Sequence, residues 1–153
     1  MKRFKNILFF ADGRDAESRS FDRAVSLAQS NEARLTVIDV IEPVPTPAEV
    51  TERFGVELDD LLRQRRLEEL EAMVGEIRDV GVDIRVRVMA GVGFIDVIRE
   101  VQRNGHDLVI KVAQGPRDLT DRLFGSTDMH LLRKCPCPVW IDRPVETSHY
   151  TTI

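Results

Sequence analysis

The residues able to do chemistry gather at the ends of short apolar runs. Asp12-Gly13 closes the run Ile7–Ala11, and Asp39-Val40 lies near the end of Leu35–Ile41. Lys111-Val112 extends the run Leu108–Ile110, and Gly125-Ser126-Thr127 stands where a polar loop turns into a helical pattern. Free backbone N–H groups and the macrodipole make a helix start a ready anion site. Ser126 reads equally as a plain N-cap, and Asp128 in the first turn suits the dipole but would repel a phosphate. Lys111 interrupts an apolar strand, and buried lysines are rare unless paired. If its strand lies beside the first, Asp12 is the partner to expect; the competing reading is a lysine that snorkels to solvent. Arg117 and Arg122 in the polar loop could touch phosphate or simply be solvated.

Other signals are thinner. Gly91-Val92-Gly93 lacks the third glycine of a dinucleotide fingerprint, whose place Asp96 takes, so a turn before a helix is expected. Cys135-Pro136-Cys137-Pro138 offers two thiols, too few for a closed zinc site or a disulfide framework, and reads as a tight turn before a strand. His106, His130 and His149 fall in a turn, a helix and a tail. No nucleophile, base and orienting group stand out together, so neither catalytic residues nor a metal site is expected. The charged stretch Arg63–Glu71 reads as the wet face of a helix.

These groups need a scaffold, and hydrophobic periodicity supplies one. Ile7–Ala11 is a strand buried on both faces, and Phe21, Ala24, Val25 and Ala28 recur at helical spacing. A second strand spans Leu35–Ile41. Pro43, Pro45 and Pro47 then suggest an excursion over residues 43–57 holding one short helical turn. From Leu58 an apolar stripe through Leu70, Val74, Ile77 and Val80 predicts a helix ended by Gly81. Asp83–Met89 alternates as a half-wet edge strand does, and Phe94–Val101 is helical up to Asn104-Gly105. Leu108–Ala113 is a fourth strand, Gln114–Phe124 a loop, Ser126–Lys134 a helix and Pro138–Ile141 a fifth strand. Strand and helix alternating in this way predict an α/β fold: a five-stranded, parallel, doubly wound sheet. Ligands of such sheets bind beyond the carboxyl ends of the strands, where the groups above collect.

One constellation is more specific than its parts. His106-Asp107-Leu108-Val109-Ile110, then Gly115, nine residues, Gly125-Ser126, and then Pro136-Cys137-Pro138-Val139 resembles the universal stress protein (UspA) family. Asp12-Gly13, Asp39-Val40 and Gly91 extend the likeness to about residues 3–142. The resemblance implies a Rossmann-like sheet of order 3-2-1-4-5, a homodimer paired through the strand at Val139–Asp142, and a role in stress resistance rather than catalysis. In the family's nucleotide-binding branch, ATP or AMP would be held by positions matching Asp12, Val40, Gly115, Gly125 and Ser126. Thr127 and Lys111 join them as candidate contacts. Two departures count against binding. The first glycine of that branch's Gly-x-x-Gly falls on Val112, and a proline common before the first-strand Asp is replaced by Phe10, whose ring would fill part of an adenine slot.

Length and charge bound the rest. With 153 residues the chain is long enough for one domain, expected over 1–144 with a polar tail at 145–153. A net charge of −4 argues against non-specific nucleic-acid binding. No run reaches the ~18–20 apolar residues of a membrane span, and Ile7–Ala11 is short for a signal-peptide core. The expectation is thus a cytoplasmic, homodimeric, non-catalytic signalling module with an unidentified protein partner and no nucleic-acid or membrane partner. A nucleotide-binding switch, at most a slow ATPase, is the alternative.

Overall fold

In the computed structural model the described residues are 3–13, 18–43, 47–77, 80–113 and 126–143, with 49–57 described by backbone alone. The elements run β1 (Asn6–Phe10), α1 (Ser18–Asn31), β2 (Arg34–Ile41), α2 (Ala48–Gly75), β3 (Ile84–Ala90), α3 (Gly93–Asn104), β4 (Leu108–Val112), α4 (Ser126–Lys134) and β5 (Val139–Asp142). The sheet has the order β3-β2-β1-β4-β5, and every pairing is parallel. This is the expected topology.

Strand alternation divides the core in two. Ile7 and Phe9 of β1 join Leu35 and Val37 of β2 under α1 and α2, where Phe21, Leu70 and Val74 complete the layer. Leu8 and Phe10 join Ile38, Val40 and Val109 on the opposite face, covered by Val97 and Val101 of α3 and Leu131 of α4. β1 lies mid-sheet and is buried on both faces, which is why its sequence is continuously apolar. β3 lies at one edge, and over Ile84–Val88 its half-buried and exposed residues alternate as its sequence does.

Three expectations are corrected. The last two-thirds of the excursion predicted over 43–57 is the start of α2, which begins at Ala48 directly after Pro47. Proline has its φ fixed near helical values and lacks only an N–H that the first turn leaves free, so it introduces a helix more readily than it extends one. The same helix ends at Gly75 rather than Gly81. Ile77 and Val80 still pack on the core, but from the connection to β3. The stretch Arg63–Glu71 is not wholly wet, because Arg66 is buried.

Loop chemistry fixes the element ends. Gly105 caps α3 with φ 67°, and its N–H donates to the Val101 carbonyl at 2.9 Å. Asp96, standing where a dinucleotide fingerprint would have glycine, lies inside α3 and accepts the Val92 N–H at 2.8 Å. Asp107 accepts the Lys5 and Asn6 N–H groups at 2.7 and 3.0 Å, tying the start of β1 to the start of β4.

Candidate functional site

The carboxyl ends of β1, β2 and β4 hold a compact group of charges. Asp12 follows β1 in the left-handed region (φ 54°), which aspartate tolerates better than most residues, and Gly13 follows with φ 69°. This tight turn delivers the Asp12 carboxylate toward β4. There it meets Lys111, whose ammonium lies 3.0 Å from Asp12 Oδ2. The pairing follows from sheet register: Phe10 stands opposite Lys111, so both side chains rise from the same face.

Lys111 has no solvent exposure, and a second carboxylate, Asp128 in the first turn of α4, bonds to the same ammonium. Asp128 is fully buried as well. The snorkelling alternative therefore does not hold. One cation between two anions leaves this triad formally one negative charge in excess. Burial is the largest influence on Asp12 and raises its carboxyl above the ordinary value of 3.8. Attraction to Lys111 opposes that shift, while Asp39 and Asp128 add to it.

A second buried ion pair supports the turn from the other face. Asp39 of β2, also without exposure, accepts the Gly13 N–H at 3.0 Å, its neighbour Val40 N–H at 2.8 Å, and Arg66 Nε at 2.6 Å. Arg66 reaches Glu69 as well, at 3.0 Å. One carboxylate thus fastens the Asp12-Gly13 turn, the end of β2 and the long helix α2 together. Burial acts first to lower the Arg66 guanidinium, and the bonds to Asp39 and Glu69 outweigh it, so its value is raised.

The sequence-predicted residues are distributed as follows. Asp12 and Lys111 meet directly. Val40 is buried in the α3/α4 layer beside Asp39. Ser126 and Thr127 head α4, exposed and half-buried respectively, and are joined to the group through Asp128. Gly115 and Gly125, with Arg117 and Arg122, lie outside the described residues, as does the tail 145–153. Phe10 does fill space: its ring is buried 3.4 Å from the position a Cβ would take on Gly93, and Lys111 Nζ lies 6.0 Å from the ring centroid. Val112 is buried at the end of β4.

Sequence reasoning missed Asp128 as a partner of Lys111, and missed the Asp39–Arg66 pair. Asp39 carried a readable signal, since a carboxylate inside an apolar strand needs a counter-charge just as Lys111 does. His130 stacks on Phe94 with ring centroids 4.2 Å apart, a packing role. No group of three or more His, Cys, Asp or Glu that could hold a metal occurs among the described residues. No helix among them is long and apolar enough to cross a membrane.

Comparison with known proteins agrees with this architecture. Universal stress protein E of Escherichia coli K12 is 32% identical over 94% of this chain. The match takes in 47% of that protein, so the chain spans about half the length of the curated relatives it matches. The solved universal stress protein UspA from Lactobacillus plantarum superposes with a TM-score of 0.75 at 23% identity, covering 94% of this chain and all of that one. A universal stress protein solved in complex with cAMP gives a TM-score of 0.62 at 19% identity, covering 93% of this chain and 98% of its own. Both likenesses are of fold. Residues 3–143 match the Universal stress protein family, and the chain belongs to it.

Proposed function

We propose that this chain is a non-catalytic stress-response module that acts through its surface and one sheet edge, and whose nucleotide cleft is closed by its own side chains. The observation that carries the reading is the Asp12–Lys111–Asp128 triad, in which Lys111 and Asp128 are fully buried and Asp12 half-buried. It occupies the strand ends where the family's nucleotide-binding branch would place a nucleotide. Asp128 sets a carboxylate within the first turn of α4, so the dipole that would attract a phosphate already faces an anion. The excess negative charge of the triad repels a phosphate further, and the Phe10 ring takes room beneath.

A second reading, an ATP- or AMP-binding switch with at most slow hydrolysis, draws on the exposed Ser126 at the head of α4. The universal stress protein in complex with cAMP shares the fold. Calorimetric titration with ATP, AMP and cAMP, with and without magnesium, separates the two. The expected result is no binding tighter than ~10 μM, about −7 kcal/mol. Tighter binding of any of the three overturns the closed cleft.

The sheet edge we assign to partner binding is β5. Among the described residues it is an outer strand paired on one side only, to β4, and Trp140 on it is 42% exposed. Such an edge is a liability that pairing with a second copy covers. Sedimentation is expected to show a homodimer at micromolar concentration, reverting to monomer in the variant Trp140→Asp. A wild-type monomer at that concentration rules the edge out as a dimer contact.

A further inference from the structure

Cys135 and Cys137 play no part in the triad or in the proposed cleft, yet they are closely juxtaposed. Their sulfurs are 3.7 Å apart and share an S–H···S hydrogen bond. Each stands at a fixed backbone position. The Cys135 N–H donates to the Leu131 carbonyl at 3.0 Å, ending α4, and the Val109 N–H donates to the Pro138 carbonyl at 3.0 Å, starting β5. Only Pro136 separates them, and its ring stiffens the link. Both cysteines are partly accessible, while Pro136 and Pro138 are exposed, so the turn is open to a small solute.

We propose that this pair is a peroxide-responsive dithiol in which Cys135 is the attacking thiol and Cys137 the resolving one. The Cys135 thiolate attacks one oxygen of a hydroperoxide, the O–O bond breaks, and Cys135 becomes a sulfenic acid as hydroxide or alkoxide leaves and takes up a proton. Cys137 Sγ then attacks Cys135 Sγ, its own proton and the sulfenic hydroxyl leave as water, and a disulfide forms. Two thiols and one hydrogen peroxide give one disulfide and two waters.

The roles follow from the shared hydrogen bond. Either sulfur can donate it, and when Cys137 does so the bond lowers the Cys135 thiol from an ordinary 9.0 to about 7 despite partial burial. The same bond, with burial second, pushes the Cys137 thiol up. A bond donated by Cys137 thus favours the anion on Cys135, and it is the thiolate that reacts with peroxide. Forming the disulfide requires the sulfurs to close to about 2.05 Å, a short movement within a two-residue span. Partly exposed disulfides are readily re-reduced, the behaviour of regulatory rather than structural ones.

The test uses the reduced whole chain, a small excess of hydrogen peroxide, and intact-mass measurement. The expected product carries no covalent link between chains and is lighter by about 2 Da, the two hydrogens lost. The loss maps to the tryptic peptide that begins at Cys135 and is reversed by glutathione. Cys137→Ser should stop at a sulfenic acid on Cys135 that dimedone labels, and Cys135→Ser should react roughly tenfold more slowly, because its remaining thiol stays protonated. Oxygen addition without hydrogen loss, a disulfide-linked dimer in place of the internal bond, or Cys135→Ser reacting as fast as wild type each overturn the proposal. The wild-type peptide decides the matter even if a variant fails to fold.

Discussion

Replacing Lys111 with Met is expected to destabilise the protein by roughly 3–5 kcal/mol, because it leaves buried carboxylates without their counter-charge. Asp128 has no exposure, so water cannot take over from the ammonium. Asp12 stands in the same place only 20% exposed, and two like charges would then face one another. Without the opposing pull of Lys111, burial raises the Asp12 carboxyl further in the folded variant. Acids whose folded values are raised stabilise the fold at low pH and lose that contribution as pH rises, so the deficit of Lys111→Met should be smaller at pH 4 than at pH 8. Urea unfolding across that range measures it, and a deficit that does not change with pH would deny the triad. The wild type carries a weaker form of the same dependence. Asp12 is raised above 3.8, so its contribution is complete below that pH and disappears as pH passes upward through the raised value. Asp12→Asn should therefore be at least as stable as wild type at pH 7, since it leaves a neutral Lys111–Asp128 pair. Those opposite outcomes for two members of one triad separate electrostatics from packing.

The second large effect is expected at Asp39. Asp39→Ala removes the acceptor of the Gly13 N–H, the Val40 N–H and the Arg66 guanidinium together. It leaves Arg66, 8% exposed, to Glu69 and its remaining contacts. A loss of about 3–4 kcal/mol is expected by denaturant unfolding, of the size seen when one partner of a buried pair is removed. The double variant Asp39→Ala, Arg66→Met should recover part of this, because the cation that needed a partner is gone as well. If the double variant is weaker than the single one by the full cost of Arg66→Met alone, the two residues act independently and Asp39 does not hold α2 to the turn.

The two ion pairs also mark where the sequence was legible. The layers could be read from it because burial on two faces leaves an uninterrupted apolar run, as in Ile7–Phe10, and burial on one face leaves alternation, as in Ile84–Met89. The Lys111–Asp12 contact could be read because a charge inside an apolar strand demands an opposite charge, and parallel register brings the end of β1 alongside β4. Asp128 could not. Its position depends on how α4 docks after the segment 114–125, and helix docking is set by packing across the fold rather than by local pattern. Arg66 was hidden for a related reason. It sits among Arg63, Arg65, Glu68, Glu69 and Glu71, and only the azimuth of α2 on the sheet decides which charge points inward. The start of α2 was missed because Pro47 was taken as a breaker, while at a helix start it introduces the helix.

The sheet has two unlike rims. β3 presents exposed Arg85 and Arg87 along its length, and like charges brought face to face resist further strand addition there. β5 is four residues long, apolar and uncharged until Asp142, which Arg23 of α1 holds at 2.8 Å. Among the described residues the β5 rim is the better fitted of the two to receive a strand. Self-association through it uses the same patch on both copies, closes under two-fold symmetry and exposes no fresh rim of the same kind. In the homodimer proposed above, growth would halt at two sheets, ten strands in a finite body, with the charged rim turned away from further addition.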